Sequence, residues 1–160
     1  MVSTQKIISN EIKKPLFDKR LYRYVQLANK VKCLLVQDQD TQSAAATAYM
    51  RSGNLNDPSE CNGLAHFCEH MCFLGSEKYP DEKAYSEFIT KNGGAKNAAT
   101  GEDYTYYFFD VKNEKFGDAL DIFSQFFKHP KFEESASSRE MNAVDSEFRK
   151  NLSNEERRVI

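Results

Sequence analysis

Two histidines and a glutamate lie within one five-residue segment of the chain, His66-Phe67-Cys68-Glu69-His70. Residues four apart on an α-helix lie on the same face, one turn apart, so both imidazoles would project to the same side. Two imidazoles at this spacing can bind a single metal ion. Glu69 would lie beside that ion, where a carboxylate can accept a proton from a bound water. This segment therefore predicts a metal site on a helix.

Two histidines leave a catalytic zinc site incomplete, because such a site usually has three protein ligands and one position for water. The third histidine of the chain, His129, stands at a predicted helix end, where an imidazole is typical of the surface. Glu140 and Glu147 lie on the last predicted helix and would share one face. A metal or a metal-bound histidine would be a suitable partner for them. The alternative left open is ion pairing on a solvated face with Arg139, Arg149 or Lys150.

Composition narrows the classes of function and partner. The 160 residues, 40% of them hydrophobic and 12% aromatic, suit one globular domain. The net charge of −2 makes nucleic acid an unexpected partner. The N-terminus has no secretory h-region, and no apolar run approaches the ~18 residues of a membrane span. Four cysteines without a disulfide spacing favour reduced thiols, so we expect a cytoplasmic protein without a membrane partner.

The elements that must position the metal site follow from hydrophobic periodicity and from turn residues. Alternating segments predict strands at 21–27 and 31–36, which form a hairpin, and further strands at 43–51, 95–100 and 104–111. The last of these is apolar on both faces, so we expect it at the centre of a covered sheet. Helical spacing and cap residues predict a helix at 62–74, a second from 80 to an end at 92–94, a third from 116 to an end near 129–130, and a fourth from about 135 onward.

This order of elements predicts an α+β fold in which a mainly antiparallel sheet packs with helices. Residues 1–19 are polar and weakly periodic, so we expect a flexible N-terminal arm there and a domain over 20–160. The last helix reaches the end of the sequence without a cap or a turn signal. We therefore expect the domain to be partial and truncated at its C-terminus.

Apolar stripes at helical spacing predict which side chains form the core. One stripe is expected on the third helix and one on the fourth: Phe116, Leu120, Phe123 and Phe127, then Met141, Val144 and Phe148. Cys68 and Cys72 are expected to be small core residues rather than metal ligands.

Three segments of the chain resemble the pitrilysin-type or insulinase family of zinc metallopeptidases. They are 63–75, 78–80 and 142–147. The first has the H-x-x-E-H order of the inverted zinc peptidases. The resemblance extends from about residue 12 to the end, and Glu147 lies at the distance after His70 at which the family places its third zinc ligand.

The resemblance implies a role for each matched residue. The zinc (Zn²⁺) ligands would be His66, His70 and Glu147, the general base Glu69, the supporting acid near the metal Glu140, and the substrate-backbone contacts Asn97 and Ala98. The implied fold is the first domain of the insulinase-type metallopeptidases. The implied activity is a zinc-dependent metalloendopeptidase that hydrolyses small peptides with zinc-activated water and a glutamate base.

The resemblance also implies partners beyond the peptide substrate. Family members close a second, homologous half over the zinc domain, so a C-terminal half or a partner subunit would be needed to complete the chamber. Two alternatives remain. One is a truncated or non-catalytic subunit of the same family that binds peptides or partners, and the other is a purely structural zinc module.

Overall fold

A computed structural model gives the fold and describes residues 6–9 and 12–152. The chain divides into two compact units, Met1–Gln42 and Ser43–Ile160. Within the described ranges, no helix is both long enough and apolar enough to cross a membrane. The cytoplasmic location stays a prediction.

The first unit contains a three-stranded antiparallel sheet in the order β1-β2-β3. Strands β2 (Leu21–Gln26) and β3 (Lys32–Gln37) form the predicted hairpin in an unbroken register. Strand β1 (Lys6–Ser9) pairs with β2 and lies inside the predicted arm at 1–19. The sequence does not predict this strand, because four residues are too few to show an alternating pattern.

The second unit is built on an antiparallel sheet in the order β4-β6-β5. Its strands are β4 (Ser43–Met50), β5 (Lys96–Thr100) and β6 (Thr105–Lys112), close to the predicted bounds. Strand β6 is central, as its apolar sequence predicted. Its alternate side chains are buried, beginning at Thr105 and ending at Val111.

Four α-helices follow in the predicted order: α1 (Leu64–Cys72), α2 (Ala84–Lys91), α3 (Phe116–Gln125) and α4 (Glu134–Leu152). The α+β prediction is therefore confirmed. Helix α2 begins later than the predicted start at 80. The reason is local, because the Asp81 carboxylate accepts the Lys83 N–H at 2.9 Å and holds residues 81–83 in a turn.

Aromatic packing between α2, α3 and β6 forms the core of the second unit. The rings of Phe109 and Phe123 meet edge to face at 5.1 Å, and those of Tyr85 and Phe126 at 4.9 Å. Such pairs contribute roughly 0.5–1.5 kcal/mol each beyond the burial of their area. Cys72 belongs to this core, as predicted, and it anchors the C-terminal turn of α1.

The predicted stripe of α3 is wrong at two positions. Ala119, Ile122 and Phe123 are buried, whereas Leu120 and Phe127 are each 40% exposed. The spacing of the large apolar residues was correct for a helix, but the small side chain of Ala119 lets the helix approach the sheet on that side.

The predicted stripe of α4 is wrong at two positions, because Met141 and Phe148 are exposed, whereas Val144 is partly buried. The face that packs against α1 carries Glu140 and Glu147, which are partly buried. Polar side chains, those of Glu140 and Glu147, therefore take part in the contact between α4 and α1. Apolar periodicity cannot reveal such an interface.

Candidate metal centre

The start of α1 is held by a carboxylate from the preceding loop. Asp57 accepts the N–H of Gly63 at 2.7 Å and the N–H of Ala65 at 2.8 Å. These are amide groups that a helix start leaves without internal partners, and a negative charge suits this end of the helix dipole. The cap thus fixes the helix one residue before His66. The sequence does not indicate that Asp57 caps this helix, because the residue lies six positions before Gly63 rather than at the usual capping position.

Three side-chain atoms from α1 and α4 surround one point. The Nε2 atoms of His66 and His70 are 3.1 Å apart, and Oε2 of Glu147 lies 3.8 Å from the first and 3.7 Å from the second. The point equidistant from the corners of this triangle is about 2.1 Å from each, which matches zinc–nitrogen and zinc–oxygen distances. Of the residues that the structure describes, this is the group of His, Cys, Asp or Glu whose atoms could hold a metal.

Glu140 lies behind His70 and fixes the orientation of its ring. Nδ1 of His70 is 2.6 Å from Oε1 of Glu140. We assign the proton of this hydrogen bond to Nδ1, because an ionised carboxylate can only accept. The Nε2 lone pair of His70 then points toward His66 and Glu147. A carboxylate that holds a ligand histidine in this way is common around protein-bound zinc.

The neighbouring arginines do not form the ion pairs with Glu140 and Glu147 that the alternative predicted. Arg139 contacts Glu82 at 2.7 Å, and Arg149 contacts Asp145 at 2.8 Å. Both arginines therefore pair with acids other than Glu140 and Glu147.

Glu69 is a buried carboxylate with one oxygen engaged and one free. The residue is 7% exposed, and its Oε2 accepts a hydrogen bond from the Thr100 hydroxyl at 2.5 Å. Oε1 has no hydrogen-bond partner among the described residues. Thr100 is the last residue of β5. Its contact with Glu69 could not be predicted, because nothing in the sequence indicates which α1 residue the end of a strand will contact.

Asn97 and Ala98 lie within β5, an edge strand of the described sheet, which contacts α1. The Asn97 side chain is exposed, and Ala98 pairs with Tyr107 on the face that is buried against the helices. The structure therefore brings their strand beside the histidine helix. Their contact with substrate stays a prediction.

The remaining histidine and the α1 cysteines lie outside the three-atom group among the described residues. His129 is exposed, as predicted, and its Nδ1 is 3.8 Å from Glu77. Cys72 is buried, but Cys68 is exposed, so its predicted core position is wrong. The hydrogen bond between the two thiols lowers the pKa of Cys68 and raises that of Cys72, which burial raises further.

Comparison with known proteins identifies the family of the chain. The family model described as insulinase (peptidase family M16) matches residues 32–160. Human insulin-degrading enzyme is 48% identical over 155 residues, which are 97% of this chain and 15% of that protein. A putative zinc protease of Caenorhabditis elegans is 47% identical over 131 residues, 82% of this chain and 15% of that protein.

A solved structure gives the same result for the fold. The crystal structure of pitrilysin superposes with a TM-score of 0.87 at 32% sequence identity, over 91% of this chain and 16% of that one. The chain thus spans about 15% of the length of the curated relatives that it matches. From the family match and these similarities, the chain belongs to the insulinase family of peptidases, family M16.

Proposed function

We propose that this chain carries the metal-binding and proton-transferring side chains of a zinc-dependent metalloendopeptidase. The observation that carries the proposal is the triangle formed by side-chain atoms of His66, His70 and Glu147. The buried carboxylate of Glu69 lies within the same turn of α1 as the two histidines. Membership of a peptidase family and the similarity to a putative zinc protease of C. elegans support the same conclusion.

The donor set supports zinc in an open site. Two imidazole nitrogens and one carboxylate oxygen are a combination typical of catalytic zinc, which keeps a further position for water. A zinc ion held there would lower the pKa of a water molecule and polarise a peptide carbonyl. No cysteine belongs to the group in the described ranges, which argues against the closed, cysteine-rich sites of structural zinc.

Glu69 is the proton carrier in this proposal. Its free Oε1 accepts the proton of the attacking water, and the same oxygen then donates that proton to the leaving amine. Thr100 acts through Glu69, because its hydroxyl holds Oε2 and so selects the oxygen that faces the substrate. Glu140 acts through His70, whose ring it orients.

An extended peptide is the substrate that best suits the edge strand. A peptide added beside β5 would gain main-chain hydrogen bonds at Asn97 and Ala98, which tolerate many sequences. Small or unfolded peptides meet this requirement more readily than folded proteins do. Because the relatives are several times longer, we also propose that a C-terminal half or partner subunit completes the substrate chamber.

Zinc content and peptide cleavage together test the proposal. Zinc would be measured by atomic absorption in the purified chain. Cleavage of an internally quenched peptide would be measured with the natural protein that contains this chain. We expect Glu147→Gln to lose zinc and cleavage together. Glu69→Gln should keep zinc and lose cleavage by at least a hundredfold, because a general base typically contributes 10²–10⁴-fold.

His129→Gln is the matched control, because it removes an exposed histidine outside the group. It should change neither zinc content nor cleavage. Cleavage that survives Glu69→Gln would refute the role of that residue. Zinc binding without any cleavage by the natural protein would favour the non-catalytic subunit. Zinc that is lost from a Cys68→Ala variant but retained in Glu147→Gln would favour the structural module.

A further inference from the structure

Lys96 is a half-buried cation at the start of β5. Its Nζ lies 4.4 Å from the centre of the Phe73 ring and 5.8 Å from that of Tyr85. No carboxylate of the described residues lies within 4.0 Å of this nitrogen, whereas Lys78 and Lys131 each have such a partner.

The position of Lys96 is electrostatically unfavourable without an anion. Burial lowers the pKa of its ammonium group, because the charged form loses hydration. Two aromatic faces restore part of that loss, and a nearby carboxylate would restore more. A negatively charged group from outside the described residues would therefore stabilise the ammonium group of Lys96.

The strand geometry relates Lys96 to the candidate metal centre. Lys96, Ala98 and Thr100 share one face of β5, because their partners on β6 are the buried Phe109, Tyr107 and Thr105. Thr100 contacts Glu69, so the far end of this face lies at the proton carrier. Lys96 is four residues from Thr100, or about 13 Å along the strand.

A peptide that pairs with the outer edge of β5 would place every second side chain on this face. Residues directly opposite one another across a ladder have their Cβ atoms about 5 Å apart on the same side. In the more stable antiparallel pairing, the peptide residue opposite Lys96 follows the one opposite Thr100 by four positions. Because the proposed proton carrier Glu69 contacts Thr100, that residue would lie on the C-terminal side of the cleaved bond.

We propose that Lys96 is a specificity subsite for a carboxylate of the substrate, located four residues after the peptide residue that pairs with Thr100. This inference rests on the proposed function and identifies a preferred substrate class, which is peptides with an acidic group C-terminal to the cleaved bond. The carboxylate is supplied either by an Asp or Glu side chain or by the C-terminus of a short peptide.

A peptide series tests this subsite by binding, without requiring cleavage. Fluorescent peptides that differ only by Glu or Gln at successive positions would be titrated by anisotropy into the zinc-loaded natural protein with Glu69→Gln. We expect Glu to bind about 3- to 30-fold more tightly than Gln at the position opposite Lys96, the range for a partly exposed ion pair. The preference should vanish one position away, where the side chain points to the other face. A second pair of peptides would end at the position opposite Lys96, one with a free C-terminal carboxylate and one with a C-terminal amide. Their relative affinity shows whether a C-terminal carboxylate binds as well as a Glu side chain does.

Variants of Lys96 separate charge from packing. Lys96→Met keeps the contact with Phe73 and Tyr85 and should abolish the Glu preference, while Lys96→Arg should retain it. Lys112→Met, an exposed lysine at the end of the neighbouring strand, is the matched control and should leave the preference unchanged. Thermal melting of each variant confirms that it is folded.

Two results would overturn the inference: no Glu preference at any position in the protein with Lys96, or a preference that persists in Lys96→Met. Cleavage of the neutral Gln peptides by the protein with intact Glu69 tests the proposed function separately. That activity should remain in Lys96→Met. Either of the two binding results, found together with cleavage of the Gln peptides, would therefore refute the subsite and leave the peptidase assignment standing.

Discussion

Replacing Glu140 should weaken zinc binding without touching any of the three atoms proposed to hold the ion. The change acts through the 2.6 Å hydrogen bond from Nδ1 of His70. Glu140→Leu removes the acceptor, so the ring of His70 can rotate, and its neutral form can place the proton on Nε2 instead. Glu140→Gln keeps an oxygen that accepts the same proton but removes the negative charge.

The size of the effect follows from the geometry of this pair. Both side chains are about three-quarters buried, with exposed fractions of 24% and 21%, so solvent screens their interaction less than it screens a surface pair. Carboxylates behind metal-bound histidines typically contribute 10- to 100-fold in metal affinity. We expect Glu140→Gln to raise the zinc Kd about 10-fold and Glu140→Leu about 100-fold, which is about 1.4 and 2.7 kcal/mol.

The assay is competition for zinc between the chain and a chromophoric chelator at fixed pH and ionic strength. Glu134→Gln, an exposed acid at the start of the same helix, is the control and should bind zinc as the parent does. Circular dichroism would show that each variant is folded. A Glu140→Leu variant whose zinc Kd stays within twofold of the parent would refute the reasoning. So would a Gln variant that binds zinc more weakly than the Leu variant.

Two further predictions concern side chains that form hydrogen bonds with α1, one with the carboxylate of Glu69 and one with the backbone at the start of the helix. Thr100→Val removes the hydroxyl that donates to Glu69 but keeps the side-chain shape, so kcat should fall about 10- to 100-fold with KM little changed. Thr100→Ser should restore most of kcat, and a loss confined to KM would contradict this role. Asp57→Ala removes both acceptors at the start of α1 and should lower the free energy of unfolding by about 1–2 kcal/mol in urea titrations. Asp57→Asn should cost less because it keeps one acceptor, and a loss equal to that of Asp57→Ala would argue against the cap.

Much of the fold could be predicted where one element carries its own pattern. The hairpin of β2 and β3 follows from alternation around a turn, and the central place of β6 follows from a segment that is apolar on both faces. The predicted start of α2 at residue 80 precedes the observed start, because the carboxylate of Asp81 stabilises a turn where the sequence also suits a helix start. The position of an element is thus more predictable than its first residue.

The faces of α3 and α4 were less predictable than their existence. On α3 the small Ala119 is buried and the larger Leu120 is partly exposed. On α4 the apolar Met141 and Phe148 are exposed, while a polar face meets α1. Apolar periodicity indicates which side of a helix is buried only when the partner surface is apolar. The polar interface between α1 and α4 does not meet that condition.

The sequence by itself determined the relation between His66, Glu69 and His70, because the helical repeat fixes the directions of residues within one turn. It did not determine, from residue chemistry alone, how Glu140 and Glu147 differ. The family resemblance separated them, and the packing of α4 on α1 supplies the physical reason. One carboxylate lies behind His70 and the other closes the triangle with both Nε2 atoms. Only the tertiary structure decides this, because the rotation and height of one helix against another depend on the whole interface between them.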